Sequence, residues 1–135
     1  MLTIFVLLLA FQLKHLACDY FLQTTEMAIG KGRPKGDGWF LPLLDHCRMH
    51  MMGTMIVLVG YAFYRNFHYR MTYGVYFGIL ALDGLSHFVM DRIKAAPHML
   101  GRFKSNDRRF WLALGADQMV HHVVGIIIVF ILVGL

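Results

Sequence analysis

Apolar residues gather into four long runs along the chain, and each run carries a polar group at one end. Leu2–Leu13 is almost wholly apolar and gives way to Lys14, His15, Asp19 and Gln23. Met51–Tyr64 is apolar and follows Asp45, His46, Arg48 and His50. The third run starts at Met71, and its second half holds Asp83, His87 and Asp91. The fourth, from Phe110 on, is interrupted early by Asp117, Gln118, His121 and His122. Runs of this length predict helices over about 2–23, 41–64, 71–94 and 110–134. The apolar part of the second run is too short to span alone, so its polar third must lie within or at the edge of the bilayer. The expected fold is all-α: a four-transmembrane-helix bundle forming one integral membrane domain over residues 1–135.

The connections punctuate this pattern. Lys31–Gly38 is dense in Gly and Pro and reads as a loop. Trp39 and Phe40 read as an interfacial aromatic anchor, and Pro42 suits the first turn of the helix they precede. A short turn is expected at 65–70. Gly74 and Gly78 form a G-x-x-x-G that permits close helix approach, and would suit a homodimer contact. Ala95–Arg109 is polar and basic, with Met99, Leu100 and Phe103 suited to the membrane surface. No cationic stretch precedes the first apolar run and no A-x-A site follows it, so the first helix is expected to be retained.

Charge orients the bundle. Lys31, Arg33 and Lys35 lie on one side with Arg92, Lys94, Arg102, Lys104, Arg108 and Arg109; only Arg65 and Arg70 lie opposite. The positive-inside rule makes the two basic loops cytoplasmic and leaves both termini outside. At about 1.5 Å per residue, His15 and His121 lie roughly 20 Å from the outer ends of their helices, His87 about 24 Å and His46 about 27 Å. In a hydrocarbon core about 30 Å thick, all four polar groups fall in one slab of the cytoplasmic leaflet. They come late in the first and third helices and early in the second and fourth, so antiparallel packing brings them level.

Composition agrees: 58% of residues are hydrophobic and 16% charged, far from a soluble average near a quarter charged. The net charge of +5 sits at the ends of apolar runs, which suits anionic head groups and not nucleic acid. Cys18 and Cys47 are too few for a disulfide framework and read as core residues.

The slab holds six of the eight histidines. Ionisable groups in hydrocarbon are costly and by default functional. Any one His/Asp pair is explained by a hydrogen bond between helices; four level pairs favour a metal or catalytic site. Imidazole with carboxylate suits one or two divalent ions of Zn, Mn or Fe. The candidate ligands are His15, Asp19, His46, His87, Asp91, Asp117 and His121. Asp117, Asp91 and Asp19 are candidates for the catalytic base. Gln23, Asp45, His50, Asp83, Gln118 and His122 would support the ligands, with capping of its helix the alternative role for Asp45. His122 is turned about 100° from His121 and pairs by spacing with Gln118. Lys31, Arg48, Arg92 and Lys94 could hold a phosphate, although such side chains more often snorkel to head groups. His68 and His98 fall in connections and are given no role.

His15-x-x-x-Asp19-x-x-x-Gln23, a loop lysine (Lys31 or Lys35), Leu43-Leu44-x-His46, His87-Phe88-x-x-Asp91-x-x-Lys94 and Asp117-Gln118-x-x-His121 follow in order. Together they resemble the domain of unknown function 3307 family, small membrane proteins of bacteria and bacteriophages. Asp45, His50 and His122 are additions to that pattern, and the family implies no established activity. The chain is also similar in kind to small membrane-bound metal-dependent hydrolases of bacteria and prophages. The expectation is a metal-dependent hydrolase in the bacterial inner membrane, acting on a lipid or lipid-linked phosphoester. The alternatives are a metal-ion or proton transporter, or a non-catalytic phage or host membrane protein. The nearly unbroken apolar outer halves argue against a transport route.

Overall fold

The computed structural model describes residues 1–65 and 71–134. His68, Arg70 and most of the expected 65–70 turn lie outside the described residues. Among the described residues the chain is helical, without a strand. Helix α1 spans Leu2–Leu16, and a π-helical turn, Ala17–Phe21, continues it. Helix α2 is Thr25–Gly30, α3 Phe40–Tyr64, α4 Tyr73–Ala95 and α5 Arg108–Gly134, with a 3₁₀ turn at Leu100–Arg102. The short helix α2 lies between the first expected helix and the loop, and was not expected. Its N-terminus is capped by Thr24, whose Oγ1 accepts from the Met27 N–H at 3.2 Å. The Lys31–Gly38 segment is a loop as expected.

The α1 stretch with its π turn, α4 continued through the 3₁₀ turn, and α5 are each long and apolar enough to cross a membrane. Helix α3 is long enough, but Asp45, His46, Arg48 and His50 in its first third keep it short of that apolarity. Outward-facing side chains such as Phe5, Leu9, Ile56, Phe77, Leu85 and Phe130 are exposed. Helices apolar all round belong in lipid, not in water.

Helix α3 packs on α4, α4 on α5, and α1 closes the ring against α3 and α5. Each helix buries one stripe at helical spacing: Leu7, Phe11, Lys14, His15 and Cys18 on the α1 stretch; His46, His50, Thr54 and Leu58 on α3; Ile79, Asp83, His87 and Asp91 on α4; Asp117, His121, Val124 and Ile128 on α5. Every stripe is apolar toward the end that holds the termini and polar toward the end that holds the two basic connections. The interior therefore divides into two layers. Leu7, Phe11, Leu58, Ile79, Ile128 and Leu132 fill the first; the His/Asp groups fill the second. Cys18 and Cys47 are buried free thiols.

Glycines matter where helices touch. A Cβ on Gly53 would stand 2.8 Å from Lys14 Cγ, so its absence lets Lys14 cross α3. A Cβ on Gly30 would stand 2.5 Å from Pro42 Cγ, so its absence lets α2 lie against the start of α3. Among the described residues the close approach that Gly74 and Gly78 would permit is not made: nothing described from another helix lies within 4 Å of a Cβ at either.

Candidate metal centre

The four polar groups meet. The rings of His50 and His87 have centroids 3.6 Å apart, and His87 and His121 stack at 4.0 Å and 9°. The His15 ring lies 5.2 Å from His50 and 5.3 Å from His121. His46 stands edge-on to His50 at 4.7 Å. Three sets of donor atoms lie close enough to share an ion: His15, His50 and His87; Asp19, His46 and His50; and Asp91, Asp117 and His121.

Asp19 sits on the π-helical turn, closed by the Leu22 N–H bonding Ala17 O at 2.9 Å. Such turns insert a residue into a helix and often mark functional sites. The turn carries Asp19 toward three histidines. Its Oδ1 lies 3.1 Å from His50 Nε2 and 3.5 Å from His46 Nε2, and its Oδ2 lies 3.2 Å from His15 Nε2. Gln118 Nε2 donates to Asp19 Oδ2 and to Asp117 Oδ2, each at 3.3 Å.

The other three carboxylates are each bonded to a lysine. Lys14 Nζ lies 2.9 Å from both oxygens of Asp83, which also accepts from Thr54 Oγ1 at 2.8 Å. Lys31 Nζ donates to Asp91 at 2.7 Å and to Gln23 Oε1 at 2.9 Å. Lys94 Nζ donates to Asp117 at 2.6 Å. Among the described residues, Asp19 alone of the four has no lysine or arginine at ion-pair distance.

Several ligating atoms are buried without a hydrogen bond: His15 Nε2, both nitrogens of His46 and of His121, His50 Nδ1, His87 Nε2 and Asp117 Oδ1. A buried polar atom left so costs about 1–3 kcal/mol, and natural interiors rarely tolerate many. One nitrogen of each ring is placed to share an ion with neighbouring donors, so the residues present fit a divalent metal. His87 is already oriented for that use: its Nδ1 bonds the Asp83 backbone carbonyl at 2.8 Å, leaving Nε2 bare toward the cluster.

The expected residues sort by position. His15, Asp19, His46, His87, Asp91, Asp117 and His121 converge, and His50 lies among them rather than around them. Asp83, Gln23 and Gln118 bond cluster members. His122 is half-buried at the edge, its ring 5.5 Å from His15. Asp45 and Arg48 lie apart, paired with each other at 2.9 Å on the surface, because they face away from the buried stripe of α3. Asp45 does not cap α3 either; the helix begins at Phe40, too early for it. Lys31 and Lys94 point inward to carboxylates, and Lys35 is exposed, so Lys31 is the loop lysine that reaches the cluster. Arg92 donates to the carbonyls of Lys31 and Arg33 at 2.8 and 3.1 Å and covers the Trp39 ring at 4.1 Å. It clamps the loop that delivers Lys31.

Lys14 and Thr54 escaped the sequence reading. Lys14 looked like the end of an apolar run, yet it continues the Leu7, Phe11, Cys18 stripe at helical spacing, and Thr54 lies between His50 and Leu58 on theirs. A cavity of about 190 Å³ opens beside Asp19, lined by Gln23, Lys31, Lys94, Leu114 and Gln118.

The chain belongs to the family described as Protein of unknown function (DUF3307), whose match covers residues 4–135. No characterised protein and no solved structure matches it.

Proposed function

We propose that this family member is a membrane-embedded, metal-dependent hydrolase of a lipid or lipid-linked phosphoester. The observation that carries the reading is the convergence of His15, His46 and His50 Nε2 on Asp19, at 3.2, 3.5 and 3.1 Å, where Asp19 is the one clustered aspartate without a lysine. In this reading His15, Asp19, His46 and His50 hold one ion, and Asp91, Asp117, His87 and His121 line the rest of the centre. A bound Zn, Mn or Fe ion supplies Lewis acidity at a phosphoryl oxygen and a water of lowered pKa.

The chain's own groups supply the remainder. Lys31 and Lys94 line the cavity next to Asp19 and offer ammonium donors to a phosphate. Asp117 keeps Oδ2 on Lys94 and holds Oδ1 3.3 Å from His121 Nε2, which suits it to accept a proton from water. The apolar layer beneath the cluster excludes water from one side. Four membrane crossings, basic connections in the cytoplasm, termini outside and a bacterial inner membrane complete the proposal, supported by the lysines and arginines at one end. That places the centre near the head groups of the cytoplasmic leaflet.

The test is elemental analysis of purified full-length protein, with phosphate release from lipid phosphates in mixed micelles. The expected result is a stoichiometric transition metal, and release that chelation abolishes and metal restores. Less than roughly a tenth of an equivalent of metal, with no loss of stability on chelation, would sink the metal reading. Metal without phosphate release would sink the hydrolase.

A further inference from the structure

We infer that the centre takes a single divalent ion, at Asp19, and that the ammonium groups of Lys31 and Lys94 hold the place of a second ion between Asp91 and Asp117. This rests on the metal reading above and sharpens it.

Two of the three donor sets contain carboxylates and form half-sites; the third, His15, His50 and His87, shares His50 with the first. The first half-site is Asp19 with His46 and His50; the second is Asp91, Asp117 and His121. His46 Nε2 stands between them, 3.5 Å from Asp19 Oδ1 and 3.5 Å from Asp91 Oδ2. By ligand type and spacing the pair of half-sites is a frame for two ions. Their occupancy by the chain's own charges differs. In the second half-site Lys94 Nζ lies 2.6 Å from Asp117 and 3.4 Å from Asp91, and Lys31 Nζ lies 2.7 Å from Asp91. A carboxylate-bound ion sits about 2.0–2.2 Å from its oxygen ligands. An ion at Asp91 and Asp117 would therefore stand against two ammonium groups in a weakly screened interior, where like charges repel strongly. Among the described residues the first half-site has no such occupant.

Charge balance points the same way. Asp19, Asp83, Asp91 and Asp117 face Lys14, Lys31 and Lys94, which leaves one negative charge, on Asp19. One divalent ion neutralises it and leaves a positive centre for an anionic substrate; two ions would add charge that nothing in the cluster balances. The lysines also do what a second ion would do. Both line the cavity beside Asp19 and a neighbouring one of about 270 Å³, so their charge faces any phosphate that enters.

The experiment uses full-length protein in detergent micelles, stripped with chelator and dialysed against Mn²⁺. Bound metal is read by elemental mass spectrometry and by paramagnetic resonance, in which neighbouring ions show exchange coupling. The wild type is expected to bind one Mn²⁺ without coupling, and Asp19→Asn to lose it. Lys94→Met, or Lys31→Met if the first variant does not fold, is expected to gain a second, coupled ion. Asp19→Asn combined with the lysine change is expected to retain one. Two ions in the wild type, one ion that survives Asp19→Asn, or a single ion in both folded lysine variants would each overturn the inference. A wild type that binds no Mn²⁺, Zn²⁺ or Fe²⁺ fails the metal reading itself, a different result from any of these.

Discussion

Lys14 reaches across the helix interface to Asp83, its Nζ 2.9 Å from each carboxylate oxygen, with both side chains buried. Stranding one member of a buried pair typically costs about 3–5 kcal/mol, while replacing both with apolar groups is near neutral. Lys14→Met should therefore lower the unfolding midpoint in detergent sharply. Lys14→Met with Asp83→Leu should recover most of the loss, since Thr54 can turn its hydroxyl to a carbonyl of its own helix. The pair lies on the apolar side of the cluster, so the double variant should keep its metal. Equal instability of the double and single variants would show that the pair does more than neutralise itself.

Gln118 bonds Asp19 and Asp117 through one amide nitrogen. Partners that orient metal ligands typically carry about 10–100-fold in affinity. Gln118→Ala should weaken metal binding by about that factor without displacing the helices. Competition against a chromophoric chelator reads the affinity, and circular dichroism checks the fold. An unchanged affinity would remove Gln118 from the centre.

Much of this arrangement was legible in the sequence, for identifiable reasons. Helix positions followed from the apolar runs, because a run longer than the bilayer leaves little freedom. The meeting of His15, His46, His87 and His121 followed from depth, because rise per residue is fixed and the helices alternate in direction. Rotation about each helix axis was less legible. His50 looked peripheral, yet one turn from His46 it falls on the same stripe, and its ring lies 3.6 Å from His87. Asp45 was expected to support the ligands or cap its helix, but one residue from His46 is about 100° of turn and faces it outward. The π-helical turn at Asp19 and helix α2 depend on local hydrogen bonding that leaves no mark on hydropathy. Lys31 and Lys94 were read as rim cations, since nothing in a linear pattern tells a lysine that snorkels outward from one that turns inward to Asp91 or Asp117.

Two glycines of α3 and α4 should behave in opposite ways. Gly53→Ala would push a methyl group toward Lys14 Cγ at 2.8 Å and Cys18 Sγ at 3.2 Å. Overpacking of this kind typically costs about 1–3 kcal/mol, and here it disturbs the Lys14–Asp83 pair as well. Gly78→Ala meets open space among the described residues and should be neutral or slightly stabilising in a monomer. If Gly74 and Gly78 instead form a homodimer contact, Gly78→Ala should shift the protein toward monomer in analytical ultracentrifugation. Comparing the two variants by thermal unfolding and sedimentation separates packing within the chain from packing between copies.

The apolar layer decides between chemistry and transport. Leu7, Phe11, Leu58, Ile79, Ile128 and Leu132 close the interior beyond the histidines, joined by Tyr61, Val124 and Val129. The Tyr61 hydroxyl in this layer bonds the Leu132 carbonyl at 3.4 Å. Among the described residues, a cation leaving the cluster in that direction would meet mainly apolar side chains, and the cost of moving a small ion into such a medium is of order 20 kcal/mol in the Born limit. Protein reconstituted into vesicles loaded with a metal-sensitive or pH-sensitive dye should therefore give flux no different from empty vesicles. Leu58→Ala should cost about 2–5 kcal/mol of stability through the cavity it leaves, with metal content unchanged. Flux above that of empty vesicles, lost on Asp19→Asn, would mean that the layer opens, and the cluster would then be a station on a pathway instead of an enclosed reaction centre.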